Sequence, residues 1–547
     1  MRRSAIDMVR AAVESARKDG ALKTETLPDV IIEKPKKEEF GDFSTNIAML
    51  LAPVEKKAPR EIASLIAERI KGLPEVEKCE VAGPGFINIF LKRSYWTAVL
   101  EDIIRKGDGF GRSETGKGKT VQIEFVSANP TGPLHIGHGR GAAVGDSLSR
   151  VLKAAGFGVV REYYINDAGR QVRTLGASVK LRMEELQGKQ ITIPEDFYKG
   201  GYVKDIAQEY LDKYGPSEQG PDIQEYACNA MLESIRKDLD AFGVAFDDWF
   251  SERSLDDEGL VTSTIDELKK LGHIYESDGA LWFRTTAFGD DKDRVLIKAD
   301  GERTYFASDI AYHREKIKKG FTTLVNIWGA DHHGYEGRIR ALLRAFGHDD
   351  AVLKIIFIQL VALLRNGVPV AMGKREGEFV TLRQVMDEVG RDACRFFFLM
   401  RKADAHLDFD LELAKSQAPE NPVYYVQYCH ARIYSIIGFA KEKGMVLKDR
   451  FDPDLLDRID QKEEIGLIKH LSAFEETIEK SALNMEPHRI TFYLMELAGL
   501  FHPYYNKTRV VTDDPVLTDA RLLFCKAVGT VVANGLDLLG VSAPVKM

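Results

Sequence analysis

Apolar side chains at alternate positions, Val121, Ile123 and Phe125, predict a β-strand over VQIEFVSA. The alternation breaks at Asn129-Pro130 and Gly132-Pro133, and an Ala-rich helical run starts near Arg140 and continues to about Ala155. A second strand, GVVREYYIND, follows, and this strand–helix–strand rhythm predicts a parallel sheet. Residues about 185–255 interrupt the rhythm with polar helical sequence and read as an insertion between two halves of the sheet unit. ALWFRTT, RVLIKAD and TLVNIWGAD are expected to resume the sheet, and IIFIQLVALL with NGVPVAMGKREGEFVTL to close it. Ahead of all this, residues 1–107 read as a helix, strand-like DVIIEKP, a long helical stretch from Asn46 to Ile70, and VAGPGFINIFL. The Gly-rich segment 108–119 marks a boundary. After about Asp410 the pattern is helical, clearest in YVQYCHARIYSIIGFA and ITFYLMELAGLFHPYYNKTRVV.

The expected architecture is therefore α/β and multidomain. It has a small α+β unit at 1–107, a Rossmann-type parallel-sheet unit at 108–405, and an all-α bundle at 406–547. A length of 547 residues suits several domains. No apolar run approaches membrane-spanning length, and the N-terminal helix mixes acids with bases, unlike a signal peptide. The five cysteines are scattered without a CxxC pair, which supports neither a disulfide framework nor a structural zinc and fits a reducing cytoplasm. The formal charge of −8 argues against a uniformly basic surface; it leaves nucleic acid open, because affinity follows local patches.

Between the first strand and its helix lie His135, Gly137, His138 and Gly139. A helix N-terminus offers free N–H groups and positive dipole, and glycines let an anion approach the backbone. Two histidines three residues apart can add donors aimed at a phosphoryl group under attack. The alternative is a turn whose histidines merely cap the helix. The segment AMGKREG at 371–377 supplies basic groups, either for the departing phosphates or as an ordinary exposed turn.

SANPTGPLHIGHGRG resembles the HIGH signature of class I aminoacyl-tRNA synthetases in its arginyl version, and AMGKREG resembles their KMSKS loop. In the latter, Ala371 and Gly373 replace the first lysine and the serine, and Lys374 keeps a lysine in place. EEFGDFSTNIAM, GPGFINI, EFVTLRQVMDEVGRDACRFFFLMRKADAHLDFDLELA and HPYYNKTRV extend the resemblance from end to end. It implies ATP-dependent ligation of L-arginine to its cognate tRNA. The route is through arginyl-adenylate, with transfer to the 2′-hydroxyl of the terminal adenosine. His135, His138 and Lys374 would be catalytic. Gly132, Pro133, Gly137, Gly139, Asp331, His332, Met372 and Arg375 would meet ATP, which enters with Mg2+; no further metal is implied. The first unit would contact the tRNA corner and the bundle would read the anticodon, in a cytoplasmic monomer without membrane attachment.

A guanidinium is planar and always charged, so carboxylate oxygens suit it far better than a neutral site. Tyr305 and Asp309 stand four apart near a helix start, and the resemblance assigns them to the guanidinium side; Asp309 is also explained as an acid complementing the helix dipole. Glu124, Ser127 and Asn129 match positions that hold the substrate. Glu124 points opposite Ile123 and Phe125, and a charge inside a parallel sheet needs a partner or water; the substrate is one candidate partner. Tyr428, Arg432, Tyr504, Asn506 and Arg509 are the residues expected to meet tRNA, since RNA loops are read by stacking and hydrogen bonds; aromatics at helical spacing also build cores. Two rivals belong to other classes: a different nucleotidyl transferase sharing the HxGH loop, and a non-catalytic RNA-binding paralogue.

Overall fold

The computed structural model describes residues 2–35, 37–216, 220–370, 380–445, 451 and 453–547. In the first unit, α1 (Arg2–Lys18), α2 (Ile47–Glu55) and α3 (Pro59–Lys71) pack together against an antiparallel sheet. Its strands are β1 (Ile32–Glu33), β2 (Phe43–Thr45), β3 (Val76–Ala82) and β4 (Phe86–Leu91), in the order β1–β2–β4–β3. The helical stretch expected from Asn46 to Ile70 is two helices. Lys56 turns left-handed at φ 52° and Pro59 starts the second, where its missing N–H has no partner to lose. Helix α4 (Arg93–Lys106) leads out.

Next come β5 (Thr120–Glu124), α5 (Ile136–Ala154) and β6 (Gly158–Ile165), then α6 (Arg170–Leu186), α7 (Gly201–Tyr214) and α8 (Ile223–Ala241), then β7 (Asp248–Ser251). Helices α9 (Glu252–Asp257) and α10 (Leu260–Lys270) precede three short strands, β8 (Ile274–Ser277), β9 (Ala280–Phe283) and β10 (Arg294–Ile297). The chain continues through α11 (Tyr305–Lys318), β11 (Thr323–Gly329), α12 (Glu336–Ala345) and β12 (Leu353–Ile358). Strands β5, β6, β7, β11 and β12 form a parallel sheet of order β12–β11–β5–β6–β7. From β5 the chain first moves to β6 and later returns to β11 on the other side. The carboxyl ends of β5 and β11 therefore flank the switch point where α/β sheets bind ligands. Gly145 seats α5 on this sheet, because a Cβ there would lie 2.3 Å from the Phe125 ring.

The pattern misplaced several strands. ALWFRTT and RVLIKAD do not resume the central sheet; β9 and β10 pair antiparallel with each other, and β9 with β8, in a sheet of their own. The stretch read as insertion contains β7, the edge strand of the central sheet. The closing segment divides after β12: β13 (Val361–Arg365) pairs with β14 (Val368–Pro369) and later with β15 (Leu407–Asp410). Arg140 of α5 sits at that division, wholly buried, donating to the carbonyls of Gln359, Lys402 and Ala405 at 2.7–2.8 Å.

Helices α13 (Leu382–Val389) and α14 (Arg391–Phe398) precede β15, and α15 (Leu411–Lys415) leads into the bundle. The bundle comprises α16 (Pro422–Glu442), α17 (Pro453–Leu456), α18 (Lys462–Leu471), α19 (Phe474–Asn484), α20 (His488–Lys507) and α21 (Pro515–Leu538). One hydrophobic core runs through the first unit, the central sheet and this bundle. The end of α21 abuts α5: Ser147 Oγ donates to Leu538 O at 2.9 Å, and Arg150 Nη1 to Asp537 O at 3.3 Å. Arg395, fully buried, donates from Nε to Leu539 O at 2.8 Å and pairs with Asp146 of α5.

Candidate active site at the carboxyl edge of the central sheet

Strand β5 ends in unusual backbone. Val126 and Ser127 take φ values of 67° and 40°, a region costly for L-residues and most of all for a β-branched one. Tyr163 Oη holds Ala128 O at 2.8 Å, and Tyr202 Oη from α7 holds Thr131 O at 2.8 Å, so the loop carrying Gly132 and Pro133 is pinned from two sides. Ser127 Oγ accepts from the Tyr164 amide at 3.1 Å. Asn129 is exposed and donates to Gln171 Oε1 at 2.6 Å.

The helix starts four residues earlier than the pattern placed it, at Ile136, because the histidines themselves cap it. His135 Nδ1 accepts from the amides of Gly137 (3.1 Å) and His138 (3.4 Å), and His138 Nδ1 accepts from the His135 amide (3.3 Å). The rings stack with centroids 3.6 Å apart. This reciprocal cap decides the chemistry of both imidazoles. A ring whose Nδ1 accepts carries its proton on Nε2. Burial lowers the pKa of both, and His135 beside it helps bring His138 down to about 3. Both rings are thus neutral Nε2–H donors. Gly137 leaves room for the His135 ring, since a Cβ would stand 3.0 Å from Cε1, and Gly139 lets α5 approach Leu382, 2.6 Å from where its Cβ would be. The amide of Leu382 donates to Leu134 O at 2.7 Å, and His135 bridges Thr381. The residues following 371–379 are thereby fastened to the histidine loop. Met372, Lys374 and Arg375 lie outside the described residues.

Carboxyl groups gather across the crevice. Tyr305 opens α11 and is 69% exposed, and Asp309 follows one turn later. Burial, with Glu252 and Glu124 nearby, pushes the Asp309 carboxyl up to about 7, partly offset by Arg338. Glu252 is pushed up to about 7 as well, by burial and by Asp167 and Asp256. Asp167 is held by Ser251 Oγ at 2.6 Å and the Arg253 amide at 3.0 Å. Glu252 and Asp167 are absent from the sequence reading: Glu252 falls in the stretch that reads as insertion, and Asp167 ends a segment, GVVREYYIND, that reads only as a strand. The available signal was an acid directly after the strand-like DDWFS. Such a group of acids strains against its own charge and suits a cation with several donors. Glu124 has the partner its place in the sheet requires: Lys316 Nζ lies 2.5 Å from its Oε2, so a lysine of this chain stands where the substrate was one candidate.

At the carboxyl end of β11, Asp331 and His332 sit exposed in a tight turn, their side chains 3.6 Å apart, while His333 stacks on Phe357. In the bundle, Arg432 is sandwiched between the rings of Tyr428 (4.5 Å) and Tyr505 (4.4 Å). Its Nη1 reaches His502 Nδ1 at 3.1 Å, and Tyr424 stacks on Tyr428. Asn506 and Arg509 are exposed beyond it. Tyr504 does not belong to this face. It is 1% exposed, and its hydroxyl donates to Glu464, which Arg521 also holds, so the helical phase makes it core.

Three family models match the chain. They are the arginyl tRNA synthetase N terminal domain at residues 4–91, the catalytic domain of tRNA synthetases class I (R) at 100–406, and the DALR anticodon binding domain at 426–547. An arginine–tRNA ligase of Citrifermentans bemidjiense is 53% identical across 98% of each chain. A solved chain from Campylobacter jejuni, described as an arginyl tRNA synthetase, superposes with TM-score 0.77 at 35% identity, covering 84% of this chain and 100% of that one. The Thermus thermophilus arginyl-tRNA synthetase has the same fold, with TM-score 0.75 at 23% identity over 100% of both chains.

Proposed function

Because the chain belongs to the arginyl-tRNA synthetase family of class I aminoacyl-tRNA synthetases, we infer that the crevice beside His135 and His138 is where it activates arginine. The enzyme ligates arginine to tRNA with ATP. On our reading the arginine carboxylate attacks the α-phosphorus of ATP, pyrophosphate leaves, and arginyl-adenylate remains. The 2′-hydroxyl of the terminal adenosine then attacks the acyl carbon and AMP departs. Mg2+ accompanies ATP as part of that substrate.

The carrying observation is the reciprocal cap of His135 and His138 at the α5 N-terminus, which turns both Nδ1 atoms to the backbone, next to the end of the strand that carries Glu124. Neutral donors suit negative charge that builds on phosphate oxygens, and fixing them beforehand avoids reorganisation during the reaction. Glycines 132, 137 and 139, with Pro133, let the phosphates approach the backbone. Asp331 and His332 meet the ribose and adenine side. Lys374, with Met372 and Arg375, serves the departing pyrophosphate. Asp309 and Glu252 receive the guanidinium and Tyr305 covers it, while Glu124, Ser127 and Asn129 hold the α-amino end. Residues 1–107 contact the tRNA corner, 108–405 do the chemistry, and 406–547 read the anticodon through Tyr428, Arg432, Asn506 and Arg509. All these groups come from one chain, and a cytoplasmic monomer is the working unit we propose. Charging total tRNA with each amino acid in parallel tests the reading. Arginine alone should be accepted, and equal incorporation of lysine would refute the assignment of the acidic crevice.

A further inference from the structure

The reading above leaves a fully buried cation unused. Lys316 is 1% exposed, on the last turn of the helix that begins with Tyr305 and Asp309. Beneath it, one row across the sheet is polar: Asn326, Glu124 and Glu162 stand side by side in register on β11, β5 and β6. Lys316 Nζ lies 2.5 Å from Glu124 Oε2, 3.1 Å from Asn326 Oδ1 and 4.0 Å from Glu162 Oε1. Glu162 has other partners, the Tyr312 hydroxyl and Lys319 Nζ, which leaves Lys316 chiefly to Glu124.

The hydrogen bonds have one possible direction. Lys316 only donates, so Asn326 Oδ1 accepts. Asn326 Nδ2 then donates to His313 Nε2 at 3.0 Å. His313 carries its proton on Nδ1, which donates to the main-chain oxygen of Asp309 at 2.9 Å. Burial, with Lys316 close by, keeps that imidazole neutral, its pKa lowered to about 4. A continuous buried chain thus joins the Glu124 carboxylate to the backbone of Asp309. An ion pair this deep is poor value for stability, since apolar packing of similar volume usually does as well.

We propose that Lys316 is a positioning residue for arginine. With Asn326 and His313 it holds Glu124 ionised and aligned, and fixes the spacing between the α-amino and guanidinium ends of the site. This rests on the roles given to Glu124 and Asp309. The groups facing Glu124 are Asp309, Tyr312, His313 and Lys316 from α11, Glu162 and Tyr164 from β6, Asn326 from β11, and the Ser127 hydroxyl, which donates to its Oε1 at 3.4 Å. Without Lys316 the one full positive charge leaves this set, and burial beside Glu162 and Asp309 favours a protonated Glu124.

Pyrophosphate exchange by the full-length enzyme tests it. In Lys316→Met the KM for arginine should rise about tenfold or more while that for ATP stays within about twofold. That KM should also keep falling with pH beyond about 8, where the parent has levelled off, because Glu124 must now lose a proton unaided. Asn326→Ala keeps the ion pair but cuts the chain, and should raise the arginine KM by a few-fold with no new pH dependence. Equal rises for ATP and arginine, or an unchanged arginine KM, in either variant would overturn the proposal. If Lys316→Met does not fold, Asn326→Ala decides on the same criterion. Glu124→Gln and Asp309→Asn separate the two readings: if these leave the arginine KM unchanged, the underlying site assignment fails, and if they raise it while Lys316→Met does not, only the positioning role fails.

Discussion

Asp309→Asn should make the unliganded protein more stable and the enzyme worse. In the folded chain the carboxyl is held near 7, against 3.8 for the free side chain. Its raised value means that the fold prefers the protonated form. Stability linked to this group is therefore greatest at low pH, declines as pH rises from the unfolded value toward 7, and is fully lost above that. At about 1.4 kcal/mol for each pH unit between the two values, the cost near pH 8 has a ceiling of about 4 kcal/mol, and partial solvent access lowers it to about 2–4. An amide of the same shape removes this cost. Arginine, in turn, loses a charge-assisted contact worth about 1.5–3 kcal/mol, so its KM should rise by roughly 10–150-fold while that for ATP barely moves. Calorimetry across pH 6 to 9, with and without arginine, reads both effects. The parent should be stabilised by arginine increasingly as pH rises through about 7, since Asp309 and Glu252 must ionise to receive the guanidinium. The variant should melt higher without ligand and gain little from arginine. A variant that melts lower without ligand, with both KM values raised alike, would show that Asp309 is structural and defeat the reasoning.

Three further outcomes follow from the geometry. His138→Ala should raise the barrier to adenylate formation by about 2–4 kcal/mol, the scale of one preorganised donor, and single-turnover activation at the parent rate would exclude that role. Gly139→Leu should slow activation and lower thermal stability together, since even its Cβ meets Leu382 at 2.6 Å; an unchanged melting curve would show that α5 and α13 are not packed as described. Arg432→Ala should weaken tRNA binding and flatten its salt dependence, with the arginine and ATP KM values at saturating tRNA unchanged; filter binding at several salt concentrations reads the first effect and aminoacylation the second.

The stretch around β5 and α5 was readable because alternation, Gly-Pro punctuation and an Ala-rich run are local signals. The start of α5 was not, because imidazoles stand where Ser, Thr, Asp or Asn usually cap a helix. Strands β9 and β10 look like sheet-formers in any context, and the alternation within a strand does not name its neighbour. Glu124 was correctly seen to need a partner, but Lys316 is 192 residues away and nothing local points to it. Tyr504 and Tyr505 are adjacent in an aromatic, basic segment. Only the rotation of α20 puts the first in the core and the second against Arg432.

The end of α21 resting on α5 sets an order of events at the ribosome. Ser147 emerges 391 residues before the carbonyl of Leu538 that it holds. Throughout that interval the helix that the two histidines cap lacks one wall, and Arg395 lacks the Leu539 oxygen that accepts from its Nε. Closing so long a loop is a late and slow step, and domains that share one core in this way do not mature one after another as independent beads. A nascent chain therefore carries α5 without its α21 wall until residues 537–539 have been made.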